Sequence, residues 1–218
     1  MQSTLLIKVA ASIAVVICAS VSSAQDSLTL TMISGAVTNT YADSGSGFIN
    51  TGSLTINNWQ LPAGVLAYSQ PFQGDARDDY VVINVGSLET SGHVPALIIT
   101  ATETGFAPFT TTNATLDMVL SNSTAVSGIL TGKINGTRIG TLTTANGSVV
   151  TNLPVSSGLT STFSMTETLA FGQSVSPASG SASGELYLFA VPEPSTWALL
   201  AMGIGVFLAS RRFRCRSC

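Results

Sequence analysis

Two Asn-Gly pairs within residues 128–153 constrain the fold of this chain more than any other feature. The stretch GILTGKINGTRIGTLTTANGSVVTNL alternates apolar and polar residues around Asn135-Gly136 and around Asn146-Gly147. Asn-Gly tolerates the positive φ angles of a type I′ turn, and such alternation is typical of half-buried strands. The sequence therefore predicts a three-stranded antiparallel meander here.

Similar patterns recur along the chain. Residues 27–32 alternate apolar and polar positions, and so do residues 163–171 apart from Glu167. Four further stretches have the β-branched or aromatic enrichment of strands: 79–85, 96–104, 115–121 and 184–190. Residues 172–184 have the composition of a long loop or a flexible hairpin connection. Roughly ten short strands indicate an all-β fold, either an antiparallel β-sandwich or a flattened barrel.

Charge and cysteine content restrict the function of the middle section, residues 25–190. It contains ten acidic residues against three basic ones, a net charge of −7, and this balance repels nucleic acid. The section contains no cysteine and can form no internal disulfide, so packing must stabilise it. The three cysteines of the chain are Cys18, Cys215 and Cys218.

The N-terminal residues have the pattern of an export signal. A short, weakly basic leader precedes the uncharged apolar run 9–21, and Ser22-Ser23-Ala24 supplies the small residues that a signal peptidase reads. We expect residues 1–24 to be a signal peptide that is cleaved after Ala24.

The C-terminal residues predict one transmembrane helix. Residues 195–210 carry no charge and, as a helix, reach about 24 Å against a hydrocarbon core of about 30 Å. Interfacial anchoring by Trp197 and snorkelling of arginines to the cytoplasmic headgroups can close this gap. The arginines are Arg211, Arg212, Arg214 and Arg216. Residues 25–190 are therefore expected outside the cytoplasm.

Val191-Pro192-Glu193-Pro194-Ser195, the short apolar helix and the arginine-rich end together resemble the PEP-CTERM sorting signal of Gram-negative bacteria. The resemblance implies an exosortase partner, a membrane protease that cuts near the motif during export. It assigns the motif role to Pro192, Glu193 and Pro194 only, and the two prolines hold this segment extended. The same tail is also named after the C-terminal domain of an ice-binding protein, a name that describes the tail and not an activity.

These observations together divide the chain into a signal peptide (1–24), a β-rich extracellular domain (25–190) and a sorting signal (191–218). The resemblance implies that the inner membrane holds the protein before processing and that the cell surface or the medium receives it afterwards. Association with exopolysaccharide is also implied by the resemblance alone, since no binding motif for it is present.

The sequence shows no catalytic arrangement and predicts a non-enzymatic protein without a cofactor. The one histidine, His93, lies in Ser-Gly-His-Val-Pro, which is typical of a turn. Four glutamates in the section are scattered singly, and the sequence does not say which of them approach one another: Glu89, Glu103, Glu167 and Glu185. An extracellular hydrolase is therefore an alternative that no set of residues supports.

A carbohydrate- or calcium-binding adhesion module is the main alternative function. Asp75, Asp78 and Asp79 supply three carboxylates within five residues and are the weak candidates for a calcium site. Arg77 lies among them, so a solvated loop is the simpler interpretation. For a carbohydrate, the plausible contacts are Trp59, Tyr68 and Tyr80 together with this loop.

Three threonines alternate on one predicted strand, Thr100, Thr102 and Thr104. Such side chains can order water or pair with an ice lattice when they repeat across a sheet. The sequence shows the arrangement once, so we interpret it as the wet side of an ordinary β-sandwich.

Overall fold

The computed structural model describes residues 27–43, 45–70, 79–108, 114–156 and 159–190, and also Met202 and Ile204. The strands within these ranges are β1 (Ser27–Ser34), β2 (Val37–Ala42), β3 (Phe48–Asn50), β4 (Leu54–Ile56), β5 (Trp59–Leu61), β6 (Val65–Gln70), β7 (Asp79–Thr90), β8 (Leu97–Phe106), β9 (Ala114–Asn122), β10 (Gly128–Ile134), β11 (Thr137–Thr144), β12 (Gly147–Val155), β13 (Phe163–Phe171) and β14 (Ala178–Ala190). The all-β prediction is confirmed. Roughly ten strands was too low an estimate, because strands as short as β3, β4 and β5 show no alternation.

The strands form two antiparallel sheets. The six-stranded sheet has the order β11-β10-β13-β8-β1-β2, and the eight-stranded sheet has the order β12-β9-β14-β7-β5-β4. Strand β6 pairs with β7, and β3 pairs with β6. Because each sheet has one apolar face, the two inner faces pack together as a sandwich, and the outer faces are left for solvent or a partner.

The core lies between the two inner faces. Leu30 and Ile99 of the six-stranded sheet and Ile83 and Leu186 of the eight-stranded sheet have no exposed surface. At one end of the core, the rings of Phe106 and Phe163 stack with centroids 5.2 Å apart. One apolar core of this kind stabilises the described strands without a disulfide.

The meander prediction for residues 128–153 is correct for its first hairpin and wrong for its second. Strands β10 and β11 pair across Asn135-Gly136, where both residues have the positive φ of a type I′ turn, 50° and 76°. At Asn146-Gly147 only the glycine has a positive φ. The chain therefore does not turn back tightly there, and β12 crosses to the eight-stranded sheet to pair with β9.

The loop predicted for residues 172–184 is also partly wrong, because β14 already begins at Ala178. Small residues are required along this strand. A Cβ atom at Gly180 would lie 2.7 Å from the Ser123 carbonyl oxygen, and one at Gly184 would collide with the Glu167 carboxylate. The glycine and serine content thus indicates close packing of a central strand and not a flexible connection.

The predicted signal peptide lies outside the described residues. The predicted transmembrane helix, residues 195–210, does so too except for Met202 and Ile204, both of which are helical. Among the residues that the structure describes, no helix is long and apolar enough to cross a membrane.

Candidate functional site

Most of the site residues predicted from the sequence lie outside the described part of the chain. These are Pro192, Glu193 and Pro194 of the sorting motif, the arginines Arg211, Arg212, Arg214 and Arg216, and the calcium candidates Asp75 and Asp78. Asp79 is described. It begins β7 and is buried, so it lies in a strand and not on a solvated loop. The described residues contain no group of three or more His, Cys, Asp or Glu that could hold a metal ion.

Trp59 is not a ligand contact. Its side chain is completely buried, its indole Nε1 donates a hydrogen bond to the Pro95 carbonyl oxygen at 2.8 Å, and its ring packs against Phe171. The indole belongs to the core at the start of β5, and its one polar atom is already satisfied.

Tyr68 and Tyr80, in contrast, lie together on the outer face of the eight-stranded sheet. Their ring centroids are 6.0 Å apart. Tyr80 also lies 5.7 Å from Tyr187, and the Tyr187 ring stacks on Phe189 at 6.3 Å. Phe48, which is 49% exposed, is the register partner of Tyr68. Sequence reasoning missed Tyr187 and Phe189, although their alternate positions in the last strand place both on one face.

Two of these aromatic side chains, Tyr80 and Tyr187, belong to an in-register row that crosses five strands. This row, called the tyrosine row below, consists of Gln70, Tyr80, Tyr187, Asp117 and Asn152, on β6, β7, β14, β9 and β12. The Tyr80 hydroxyl donates a hydrogen bond to Gln70 Oε1 at 2.8 Å, and Asn152 Nδ2 donates one to Asp117 Oδ1 at 2.8 Å. Polar groups at both ends thus flank two aromatic rings in the middle.

Glu185 lies on the same outer face and acts together with burial on the pKa values of Tyr187 and Tyr68. Partial burial, together with the charge of Glu185 and a hydrogen bond to it, raises the pKa of Tyr187 to about 12. Burial and Glu185 also raise the pKa of Tyr68. Both phenols therefore remain protonated at neutral pH and can act as hydrogen-bond donors.

A shallow polar groove continues this face toward the other end of the strands. Asn84, Ser183, Ser121 and Ser148 are in register across β7, β14, β9 and β12. They line a groove of about 400 Å³ together with Asn146 and neighbouring serines. Hydroxyl and amide groups at these positions offer donors and acceptors without a full charge.

The residues considered for catalysis do not form a surface site. Glu103 and Glu167 have no exposed surface and face into the core from adjacent strands, whereas Glu185 lies on the opposite side of the eight-stranded sheet. Glu89 is exposed near the end of β7. His93 is exposed in a turn with a φ of 47°, as the sequence predicted.

The geometry thus defines an antiparallel β-sandwich with an aromatic and polar outer face. Residues 190–214 match the family model described as the PEP-CTERM protein-sorting motif. The chain carries this motif, which marks an exported protein that is anchored in the membrane until an exosortase processes it. No curated protein matches the chain.

Proposed function

We propose that this chain is a non-enzymatic surface protein that an exosortase processes through its sorting motif, and that its sandwich binds a neutral extracellular polysaccharide. The sorting part of the proposal rests on the motif at residues 190–214. The binding part rests on one observation, the tyrosine row on the outer face of the eight-stranded sheet.

The chemistry of the row suits a sugar chain. A sugar ring has an apolar face of C–H groups that packs on an aromatic ring, and hydroxyl groups at its edge that require donors and acceptors. Tyr80 and Tyr187 provide the rings, and Gln70, Asp117 and Asn152 provide polar atoms on either side. Aromatic surface flanked by a few oriented polar groups is typical of ligand sites.

Charge favours a neutral polysaccharide over an acidic one. Asp117 lies in the tyrosine row, and Glu185 lies beside Tyr187. The section formed by residues 25–190 has a net charge of −7. A polyanion would therefore be repelled at close range as well as at a distance.

The expected affinity for one short sugar is low. Each aromatic contact contributes about 0.5–1.5 kcal/mol and each net hydrogen bond about as much, so a few contacts give no more than millimolar to high micromolar binding. A long chain that engages many copies of the protein at a surface would be held much more firmly through avidity. This suits a matrix protein better than a scavenger of free sugars.

The binding proposal is tested by affinity electrophoresis of the full-length chain in mild detergent, in gels that contain a neutral glucan or a polyuronate. The glucan should retard the wild type, and the Tyr80→Ala and Tyr187→Ala variants should migrate as in a blank gel. Ile33→Ala is the matched control, because it truncates an exposed apolar side chain on the other sheet. Equal retardation of all four proteins, or preferential retardation by the polyuronate, would refute the proposal.

The sorting proposal is tested by replacing Pro192, Glu193 and Pro194 with alanine. The variant loses the extended, donor-poor backbone and the charge that the resemblance assigns to recognition. Immunoblots of membrane and extracellular fractions from a host with an exosortase should show full-length variant in the membrane and shortened wild type outside. If both proteins reach the outside with the same shortened mass, the motif is not needed for processing.

A further inference from the structure

The outer face of the six-stranded sheet carries a row of six threonines, one on each strand. In sheet order the row is Thr141, Thr131, Thr168, Thr100, Thr31 and Thr40, and each is the register partner of the next. The sequence showed three threonines on one strand only. The pairing of strands distant in sequence brings the others alongside, so the arrangement does repeat across a sheet.

Two further rows on three adjacent strands, β13, β8 and β1, complete a hydroxyl array. Thr166, Thr102 and Thr29 form the second row, and Ser164, Thr104 and Ser27 form the third. On β13, β8 and β1, nine in-register positions therefore all carry a hydroxyl group. These nine residues, three from each of rows one to three, are called the hydroxyl face below.

Hydroxyl groups on neighbouring strands of this face contact one another and restrict each other's movement. Thr102 Oγ1 lies 3.1 Å from Thr166 Oγ1, and Thr100 Oγ1 lies 3.3 Å from Thr168 Oγ1. The four threonines are half-buried among their neighbours, and β-branched side chains have few rotamers available. The array is thus ordered before any ligand arrives, which lowers the entropic cost of binding.

The composition of the face excludes most other ligands. On the outer side of the six strands, the charged side chains are Lys133 and Arg138, which are register partners on β10 and β11 at one corner of the sheet. The outer side of these six strands carries no aromatic ring. The acidic residues of β8 and β13 face the core. Ile33 and Ile98 border the hydroxyl face with partly exposed apolar side chains. A sugar chain would find aromatic rings on the other sheet and not here.

The spacing of the array suits a periodic ligand. Antiparallel strands lie about 4.8 Å apart, and alternate residues on one strand lie about 6.8 Å apart. The oxygen atoms of an ice layer repeat in two dimensions on the same scale of several ångströms. Because neighbouring strands rotate by about 20–25°, the mismatch with a flat crystal surface grows across the sheet and is smaller over three adjacent strands than over all six.

We propose that the hydroxyl face orders water into an ice-like layer and binds the surface of ice. The threonine and serine hydroxyls hold the first layer of water, and the threonine methyl groups and the bordering isoleucines keep that layer from exchanging freely with bulk water. The proposal rests on this sheet face alone. It is independent of polysaccharide binding, which uses the opposite sheet.

The test is ice affinity of the full-length chain in mild detergent. Polycrystalline ice is grown slowly from a dilute solution, and the fraction of protein in the ice is compared with that of an inert protein in the same detergent. Wild type should be enriched in the ice several-fold over the inert protein. Thr102→Lys places a long charged side chain at the centre of the array and should abolish the enrichment.

Two further variants keep this test decisive. Thr102→Val preserves the side-chain shape, so it should fold and yet lose a large part of the enrichment with the hydroxyl. Thr55→Lys adds the same charge at an exposed position of β4 and should behave as wild type. Absence of enrichment for the wild type, full retention by either Thr102 variant, or loss in Thr55→Lys would overturn the proposal.

Discussion

Replacing Glu167 with glutamine is expected to change how the stability of the sandwich depends on pH. Glu167 lies on β13 and faces the core with no exposed surface, and its carboxyl group packs against Gly184 of the opposite sheet. Among the described residues, neither of its carboxyl oxygens has a hydrogen-bond partner. A charged carboxylate in such a place is strongly disfavoured, so the folded protein should hold this group as the neutral acid.

The direction of the effect follows from the pKa of Glu167. Burial raises this pKa well above its usual value of 4.5, the nearby backbone of Ile83 acts in the opposite direction, and the negative charge of Glu185 adds a smaller increase. Glu103 also faces the core, two register positions away, where Ser69 donates a hydrogen bond to it at 2.6 Å. Because Glu103 is itself an acid, it supplies no positive charge that could stabilise the charged form of Glu167.

The magnitude follows from proton linkage. Below a pH of 4.5 both the folded and the unfolded chain bind the proton, and Glu167 contributes no pH dependence. As the pH rises toward the folded-state pKa, only the unfolded chain releases the proton. The free energy of unfolding then falls by about 1.4 kcal/mol for each pH unit, or about 2.7 kcal/mol over two units.

The unfolding free energy of the Glu167→Gln variant should differ from that of the wild type by an amount that depends on pH. The buried amide leaves donors unpaired and costs about 1–3 kcal/mol at every pH. Because the amide does not titrate, the part of the pH dependence of the unfolding free energy that is due to Glu167 disappears. The variant should therefore be less stable than the wild type near pH 5 and should approach or exceed it near pH 8.

Urea unfolding of residues 25–190, followed by circular dichroism between about pH 5 and pH 8, measures this difference. Glu89→Gln is the matched control, because it removes one exposed carboxyl group from the same domain. The reasoning is refuted if the difference in unfolding free energy between wild type and Glu167→Gln stays constant with pH. If Glu89→Gln changes the pH dependence as much as Glu167→Gln does, net charge and not burial is the cause.

Three further outcomes are expected. Gly184→Ala should lower the free energy of unfolding by about 1–3 kcal/mol, since the new methyl group would collide with the Glu167 carboxyl group, and thermal unfolding measures the loss. Residues 25–190 without either terminal signal should fold as an all-β domain without a reducing or oxidising agent, and circular dichroism showing more than about 30% helix would contradict the all-β fold. Calorimetric titration should give at most millimolar calcium affinity; micromolar binding abolished by Asp78→Asn would instead favour the calcium-binding alternative.

The local features of this fold could be predicted from the sequence. Alternation with a period of two marked β1 and β13, and the structure gives β13 the predicted bounds, Phe163–Phe171. Asn135-Gly136 specified its hairpin because the turn requires positive φ at two adjacent residues. The sorting motif could also be read directly, because it is a short linear signal that depends on no distant residue.

Sheet assignment could not be predicted in the same way. The sequence around Asn146-Gly147 resembles that around Asn135-Gly136, but β12 leaves its neighbour in sequence for the eight-stranded sheet. The choice depends on which apolar face must be covered after all strands have assembled. No residue near the turn carries that information.

Both proposed surfaces are consequences of this long-range pairing. Thr100 and Thr168 are 68 residues apart in the chain, and their hydroxyl oxygens lie 3.3 Å apart on the sheet. Tyr80 and Tyr187 likewise meet only because β7 and β14 are neighbours. The sequence by itself determined that these residues lie on strands and that a sorting motif follows them at residues 190–214. Their assembly into a tyrosine row and a hydroxyl face was decided by the tertiary structure, since strand order depends on burial of the whole core and not on any local pattern.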